Sequence, residues 1–237
     1  MTELTFRSDM TVQLLRVSEG GDNFVGQAAR VSTLGAEAAE AAAGDNIEKL
    51  INFLVRDRHG SPFEHCHFTF YTEAPIFVWR EIMRHRMASY NEESGRYKQL
   101  SGTFYVPSRT RNLVQEGKPG AYTYVPGSEE QHDLIEMNTQ AIAEFTFQKY
   151  LENLEAGIAR EVARIALPLN IYSSAFITMN ARALTNFLSL RTKDETATFP
   201  SFPQREIEMV AEQMEKAFAE HMPITHEAWN RHGRVPI

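Results

Sequence analysis

Apolar side chains recur along the chain in two rhythms, one of period two and one of helical spacing, broken by Gly, Pro, Asn and Asp. Val12, Leu14, Leu15 and Val17 predict a strand over 11–17. Asp22 or Asn23 is placed to cap a short helix with Phe24, Val25, Ala28 and Ala29 on its apolar side, ending near Ser32. The Ala- and Glu-rich run 35–44 reads as a loop or loose helix. Asp45 is placed to cap a helix carrying Ile47, Leu50, Ile51, Leu54 and Val55, closed by Gly60 and Pro62. In the run FEHCHFTFYTE (63–73), Cys66, Phe68 and Phe70 share one face of a half-buried strand. Pro75 suits the first turn of a helix with Ile76, Phe77, Trp79, Ile82 and Met83, and that helix is expected to carry Arg84 and Arg86 near its C-terminus.

Further on, 104–106 reads as the end of a strand, and 107–127, with three prolines and three glycines, as a long connection. Ser128 and Gln131 form a capping-box pair ahead of a long helix through Leu134, Ile142, Phe145 and Leu154, which Gly157 stops. A short helix over 160–167 stops at Pro168, and a strand follows over 171–179. Asn180 caps a helix through Leu184, Phe187 and Leu188 to Arg191. After a polar loop at 192–202, Pro203 begins a last long helix with Ile207, Val210, Met214 and Phe218. Strands interspersed with helices, without a repeat or clear linker, predict one mixed α/β (α+β) domain over residues 1–237.

Composition adds little to that picture except by exclusion. No run approaches the ~18 apolar residues of a membrane span, the N-terminus has no apolar signal core, and one cysteine, Cys66, allows neither an internal disulfide nor a multi-cysteine metal site. A cytoplasmic protein without membrane partners is expected. The net charge of −7 is wrong for a general nucleic-acid binder. Against that acidic background, 79–100 (WREIMRHRMASYNEESGRYKQL) holds five arginines and lysines beside three glutamates. Its basic ends enclose Ser89, Tyr90, Asn91, Glu92, Glu93, Ser94 and Gly95, a mixture of donors and acceptors that suits an anion site. The bland alternative, cations neutralising a helix C-terminus, has a sound cause of its own.

Neither G-x-G-x-x-G after a strand, nor G-x-x-x-x-G-K-[ST], nor G-x-S-x-G occurs. His59, Glu64, His65 and His67 could be read as a metal cluster of a nucleotide hydrolase, but no named ligand spacing matches, and the expectation is no metal. Cys66 alternates with phenylalanines, so it reads as core, with a thiol made inert by its apolar setting.

Arg84-His85-Arg86 followed after seven residues by Ser94 is the RHR-x7-S signature, and the chain resembles the flavin-dependent thymidylate synthases. Four further blocks resemble that family in the same order: GSPFEH (60–65), APIFVWR (74–80), REVARIALPLNIY (160–172) and MNARALTNFLSLR (179–191). The resemblance implies a central sheet flanked by helices without a Rossmann motif, assembled as a homotetramer with active sites shared between subunits. It implies conversion of dUMP to dTMP, with FAD as cofactor, methylenetetrahydrofolate as one-carbon donor and NADPH as reductant, and no enzymatic cysteine.

By the same resemblance, the dUMP site takes Glu81, Ile82, Met83, Arg84, Glu92, Glu93, Ser94, Gly95, Arg96, Arg164 and Arg191. Arginine stays charged and grips phosphate bidentately, as a nucleoside monophosphate requires. Arg191, at the uracil edge, is the expected catalytic residue, because stabilising negative charge at N3 enriches C5 for attack on the one-carbon unit. FAD is expected on Ser61, Arg84, His85, Arg86, Glu92, Asn180, Ala181, Arg182 and Asn186, with His59 where folate or nicotinamide approaches. Glu81 stands where the family often has Gln; a carboxylate opposes a phosphate, so orienting a neighbouring arginine is the role open to it. A non-catalytic nucleotide- or RNA-binding module built on the basic stretch is the alternative from another class.

Overall fold

The computed structural model describes residues 4–118 and 121–237. The chain packs as two compact units. The first takes the described residues up to Asp9, Ala74–Trp79, and the described residues of Glu93–Ser173. The second takes Met10–Glu73, Arg80–Glu92 and Ser174–Ile237.

The first unit is organised by one long helix. β1 (Thr5–Arg7) pairs in parallel with β5 (Thr103–Tyr105), and β6 (Val114–Lys118) with β7 (Ala121–Val125) makes an antiparallel hairpin. That hairpin corrects the expectation of an irregular connection over 107–127. Among the described side chains of its strands, VQEGK and AYTYV, no continuous apolar face is buried, so no hydrophobic alternation marked them. α5 (Glu129–Glu155) begins at the expected capping box: Ser128 Oγ accepts from Gln131 N, and Gln131 Oε1 from Ser128 N. It ends before Gly157, whose φ of 80° is cheap only for glycine. α6 (Arg160–Ala163) runs into a 3-10 turn at Arg164–Ala166. Phe104, Ala143, Phe147, Tyr150, Ala163 and Ile171 form the core of this unit.

The second unit contains most of a four-stranded sheet in the order β2-β3-β8-β4, from β2 (Thr11–Val17), β3 (His67–Pro75), β8 (Tyr172–Asn180) and β4 (Ser89–Glu92). Phe68 and Phe70 are wholly buried on the expected face of β3, together with Cys66 just before it. Around the sheet stand α1 (Gly21–Leu34), α2 (Ala36–Ala41), α3 (Ile47–Arg56), α7 (Ala181–Arg191), α8 (Arg205–His221) and α9 (Pro223–Arg231). Phe68 meets Phe218 of α8 edge to face at 5.9 Å.

Several boundaries move. Asp22 does not cap α1; Gly20 precedes that helix, and the buried Asp22 carboxylate accepts from Ile224 N, Thr225 N and Thr225 Oγ1 at the start of α9. α3 begins behind Asn46 in a left-handed conformation, not on an Asp45 cap. Phe63 and Glu64 lie in a 3-10 turn, Ser61–His65, rather than in β3. α4 (Ile76–Ile82) ends before Arg84 and Arg86, so neither cation sits in its last turn. α8 is followed by α9, because Pro223 restarts a helix after Met222. Among the described residues no helix is long and apolar enough to cross a membrane.

Candidate active site

Within the second unit, α4, β4 and α7 bring three of the singled-out side chains into one cluster. β8 ends at Asn180, whose Oδ1 accepts from Ala183 N at 2.8 Å and starts α7. Phe187 and Leu188 bury the inner face of that helix, and its last residue is Arg191. The guanidinium does not merely neutralise its own helix end. Nη1 donates to Glu81 Oε2 at 2.8 Å, and Nε donates to His85 Nε2 at 3.0 Å. An arginine can only donate, so His85 Nε2 is the bare nitrogen and its proton is on Nδ1.

Burial, and then the Arg191 charge, push the His85 pKa down to about 4, against a smaller opposite pull from Glu81. The ring packs edge-on against Phe187 at 4.7 Å. After α4 the backbone turns tightly, with Arg84 N donating to Glu81 O and His85 N to Ile82 O. Tyr90 on β4 pins this turn: its hydroxyl reaches the carbonyls of Ile82 at 3.1 Å and His85 at 2.7 Å. Burial raises the Tyr90 pKa to about 12, so it stays a donor. From the sequence, Tyr90 stands out only as one hydrogen-bonding residue of the basic stretch. Its tie needs the β4–β8 pairing that sets Tyr90 opposite Ile177.

Arg84 and Arg86 contrast with Arg191. Both are exposed, and among the described residues neither guanidinium has a partner. Met83 and Glu92 are exposed, whereas Ile82 is fully buried in the core. Arg182 lies against Gly60, where a Cβ would come within 2.6 Å of Arg182 Nε. That nitrogen donates to Ile237 O at 2.9 Å, and Nη1 pairs with Glu64. Ser61 and Asn186 are exposed, and Ala181 is buried at the start of α7. His59 is exposed and stacks on Phe53 at 5.4 Å.

In the first unit, Ser94 opens a turn: its carbonyl accepts from Tyr97 N and Lys98 N, and its Oγ from Arg96 N. Arg96 Nε donates to Glu161 Oε2 at 2.7 Å, and Lys98 pairs with Glu93 at 2.6 Å. Gly95 is buried; a Cβ there would stand 3.2 Å from Arg164 Cδ, so glycine lets the arginine stem pass close. Arg164 is exposed and, among the described residues, its guanidinium has no partner.

Cys66 is fully buried, and burial followed by the nearby Asp22 raises its thiol to about 11. Its Sγ donates to Gly21 O at 3.5 Å. His67 Nδ1 contacts His65 O, and among the described residues no three His, Cys, Asp or Glu side chains are grouped to hold a metal ion.

Three kinds of comparison bear on this arrangement. Residues 13–224 match the family described as thymidylate synthase complementing protein. The flavin-dependent thymidylate synthase of Streptomyces coelicolor is 51% identical over 236 residues, 98% of this chain and 96% of its own. The chain belongs to the flavin-dependent thymidylate synthase family. That of Tropheryma whipplei (strain TW08/27) is also 51% identical, over 97% of this chain and 96% of its own. Crystal structures of PolB, a UMP/dUMP methylase from Streptomyces cacaoi, are equally similar. The complex with 5-Br dUMP has a TM-score of 0.92 at 51% identity, covering 99% of this chain and 100% of that one. The complex with 5-Br UMP has a TM-score of 0.91 at 50% identity, covering 99% of each. This member of the family is thus an enzyme with a mixed helix-and-sheet fold.

Proposed function

We propose that this enzyme methylates dUMP at C5 to give dTMP, with methylenetetrahydrofolate supplying the carbon, NADPH the reducing equivalents, and FAD the cofactor between them. In balance, dUMP, methylenetetrahydrofolate, NADPH and a proton give dTMP, tetrahydrofolate and NADP⁺; the C5–H bond breaks and its hydrogen leaves as a proton. The observation that carries this reading is the Arg191–Glu81–His85 cluster, joined to the RHR-x7-S segment of a chain in this family.

Arg191 is proposed to face the uracil edge and stabilise negative charge at N3 as C5 attacks. Glu81 and His85 fix the plane of its guanidinium, so its remaining N–H groups need no reorganisation when charge develops. A neutral His85 supports this, since a protonated ring would repel Arg191 and offer it no acceptor. In a site shared between subunits, Arg84, Arg96 and Arg164 are proposed to take the phosphate, and Ser94, Ile82, Met83, Glu92, Glu93 and Gly95 to shape the rest. The open guanidinium groups of Arg84 and Arg164 are suited to a dianion.

The flavin would supply hydride transfer. Ser61, Arg84, His85, Arg86, Glu92, Asn180–Arg182 and Asn186 are proposed to hold it, and their chemistry fits. Arg86 has no partner among the described residues, Asn186 is exposed, and Gly60 leaves room for the Arg182 guanidinium. His59, exposed on its Phe53 stack, is proposed to meet the folate or nicotinamide ring. A cytoplasmic homotetramer with shared sites is the proposed assembly. Leu134, Met137, Ile142 and Phe145, all more than half exposed along α5, are apolar surface of the kind that subunit contacts cover.

The PolB likeness favours one further arm, methylation of UMP. The test is the visible spectrum of flavin-loaded protein on anaerobic addition of NADPH with dUMP, followed by product analysis after adding methylenetetrahydrofolate, in parallel with UMP. Flavin bleaching and dTMP formation are expected. Protein that takes up no added FAD, or reduced flavin without a methylated nucleotide, would contradict the proposal; methylation of UMP alone would shift the substrate.

A further inference from the structure

We propose that Arg234 is a positioning residue for Arg191, acting through the Thr192 hydroxyl; this rests on the reading of Arg191 as the residue at the uracil edge. Arg234 is only 7% exposed, and its backbone φ of 55° lies in the left-handed region that a non-glycine residue occupies only where its surroundings enforce it. Its guanidinium lies 4.2 Å from the centre of the Trp229 ring. Nη1 donates to Glu215 Oε1 and Asn230 Oδ1, and Nη2 to Glu215 Oε2 and Thr192 Oγ1, each at 2.7 Å. Asp194 Oδ2 is 3.5 Å from Nε. The fork is therefore engaged along its whole edge, and its bidentate partner Glu215 is further tied to His226 Nε2 at 2.9 Å.

Thr192 carries this order into the helix that bears Arg191. It is the C-cap of α7, buried, with Oγ1 donating to Leu188 O at 2.7 Å while accepting from Arg234. Its N–H also goes to Leu188 O, and its own carbonyl accepts from Ser201 Oγ at 2.8 Å. A helix's last carbonyls have no partners within the helix, and the final turn frays where nothing else satisfies them. Here the last turn is closed by a hydroxyl that is itself locked by a buried arginine. Arg191, the adjoining residue, is held at its guanidinium by Glu81 and His85 and at its backbone by this brace. Nothing in the Arg234 network touches the RHR segment among the described residues, so its influence on chemistry runs through α7.

The test is a double-mutant cycle on the flavin-loaded full chain. Thr192→Val removes the hydroxyl and leaves the Arg234–Glu215 pair; Thr192→Ser keeps the hydroxyl; Arg234→Lys keeps the charge but not the fork. The expected result is a roughly tenfold lower kcat at saturating dUMP for Thr192→Val and Arg234→Lys. Their dUMP Kd by calorimetry and flavin content should stay within about threefold of the parent, with most of kcat restored in Thr192→Ser. In an Arg191→Ala background, Thr192→Val should cost nothing further, because the group it positions is gone. An undiminished loss in that background, or an unchanged kcat in folded Thr192→Val, overturns the brace alone. Normal turnover by Arg191→Ala overturns the Arg191 reading and the brace with it. Should Arg234→Lys fail to fold, the Thr192 pair and the cycle decide the matter.

Discussion

Two groups of arginines in this enzyme stand in contrast. Arg191 and Arg234 have carboxylate partners within the chain and side chains only 18% and 7% exposed. Arg84, Arg86 and Arg164 are exposed, and among the described residues their guanidinium groups have no partners. The difference assigns work. An arginine that must capture a diffusing anion gains from being bare, whereas one that must meet developing charge gains from being fixed beforehand. On the proposed reading, Arg191 and Arg234 serve kcat, whereas Arg84, Arg86 and Arg164 serve substrate and cofactor affinity.

The largest break in that comparison comes from the held group. Arg191→Ala should lower kcat by about 10²–10³-fold, the cost typical of losing one preorganised donor to a developing anion, with flavin content unchanged. Steady-state kinetics at saturating dUMP with a parallel flavin spectrum checks it. The bare population should answer differently: Arg84→Ala should raise the KM for dUMP roughly tenfold, in line with losing one charged hydrogen bond, with a smaller change in kcat. Glu81→Gln sharpens the boundary between the two. The amide oxygen can still accept from Arg191, while the charge that opposes a phosphate is gone. The dUMP KM should fall by about twofold to threefold with kcat within about threefold; a tenfold loss of kcat would show that the carboxylate charge itself is needed.

His85 supplies a pH test. Its folded pKa of about 4 lies below the ordinary 6.5, so on acidification the unfolded chain takes the proton first. The stability from neutral His85 is then complete above pH 6.5 and is lost as pH falls from 6.5 towards 4. Nitrogen NMR of the imidazole should show the Nδ1–H tautomer unchanged from pH 8 to 5.5; titration near 6.5 would show that Arg191 does not hold the ring. The smallest effect is expected from Gly60→Ala, where the new methyl presses on the flexible end of Arg182. Flavin retention should weaken by about twofold to fivefold, measured by cofactor titration.

How much of this was legible in the sequence depends on whether a local pattern carried it. The Ser128–Gln131 capping box, the Asn180 cap and the Phe68–Phe70 face are local, and all three stand where the residues indicated. Asp22 and Asp45 are equally good capping residues by type. The first was claimed by the start of α9, more than two hundred residues away, and the second lost to a left-handed Asn46. The hairpin of β6 and β7 buries no continuous face among its described side chains and so left no periodic trace. At the site, the role open to Glu81, orienting an arginine, agrees with its contact to Arg191. The acceptor His85 and the Arg234 fork join residues far apart in sequence, and the short-range Tyr90 pin depends on the β4–β8 pairing, so spacing does not encode them.

The most direct measurement is release of tritium from dUMP labelled at C5, because methylation there must break that bond. With FAD, NADPH and methylenetetrahydrofolate, wild-type protein should release tritium in step with dTMP, and Arg191→Ala should release almost none at saturating dUMP while retaining its flavin. Release by Arg191→Ala at the wild-type rate, or dTMP formed by protein stripped of flavin, would contradict the account.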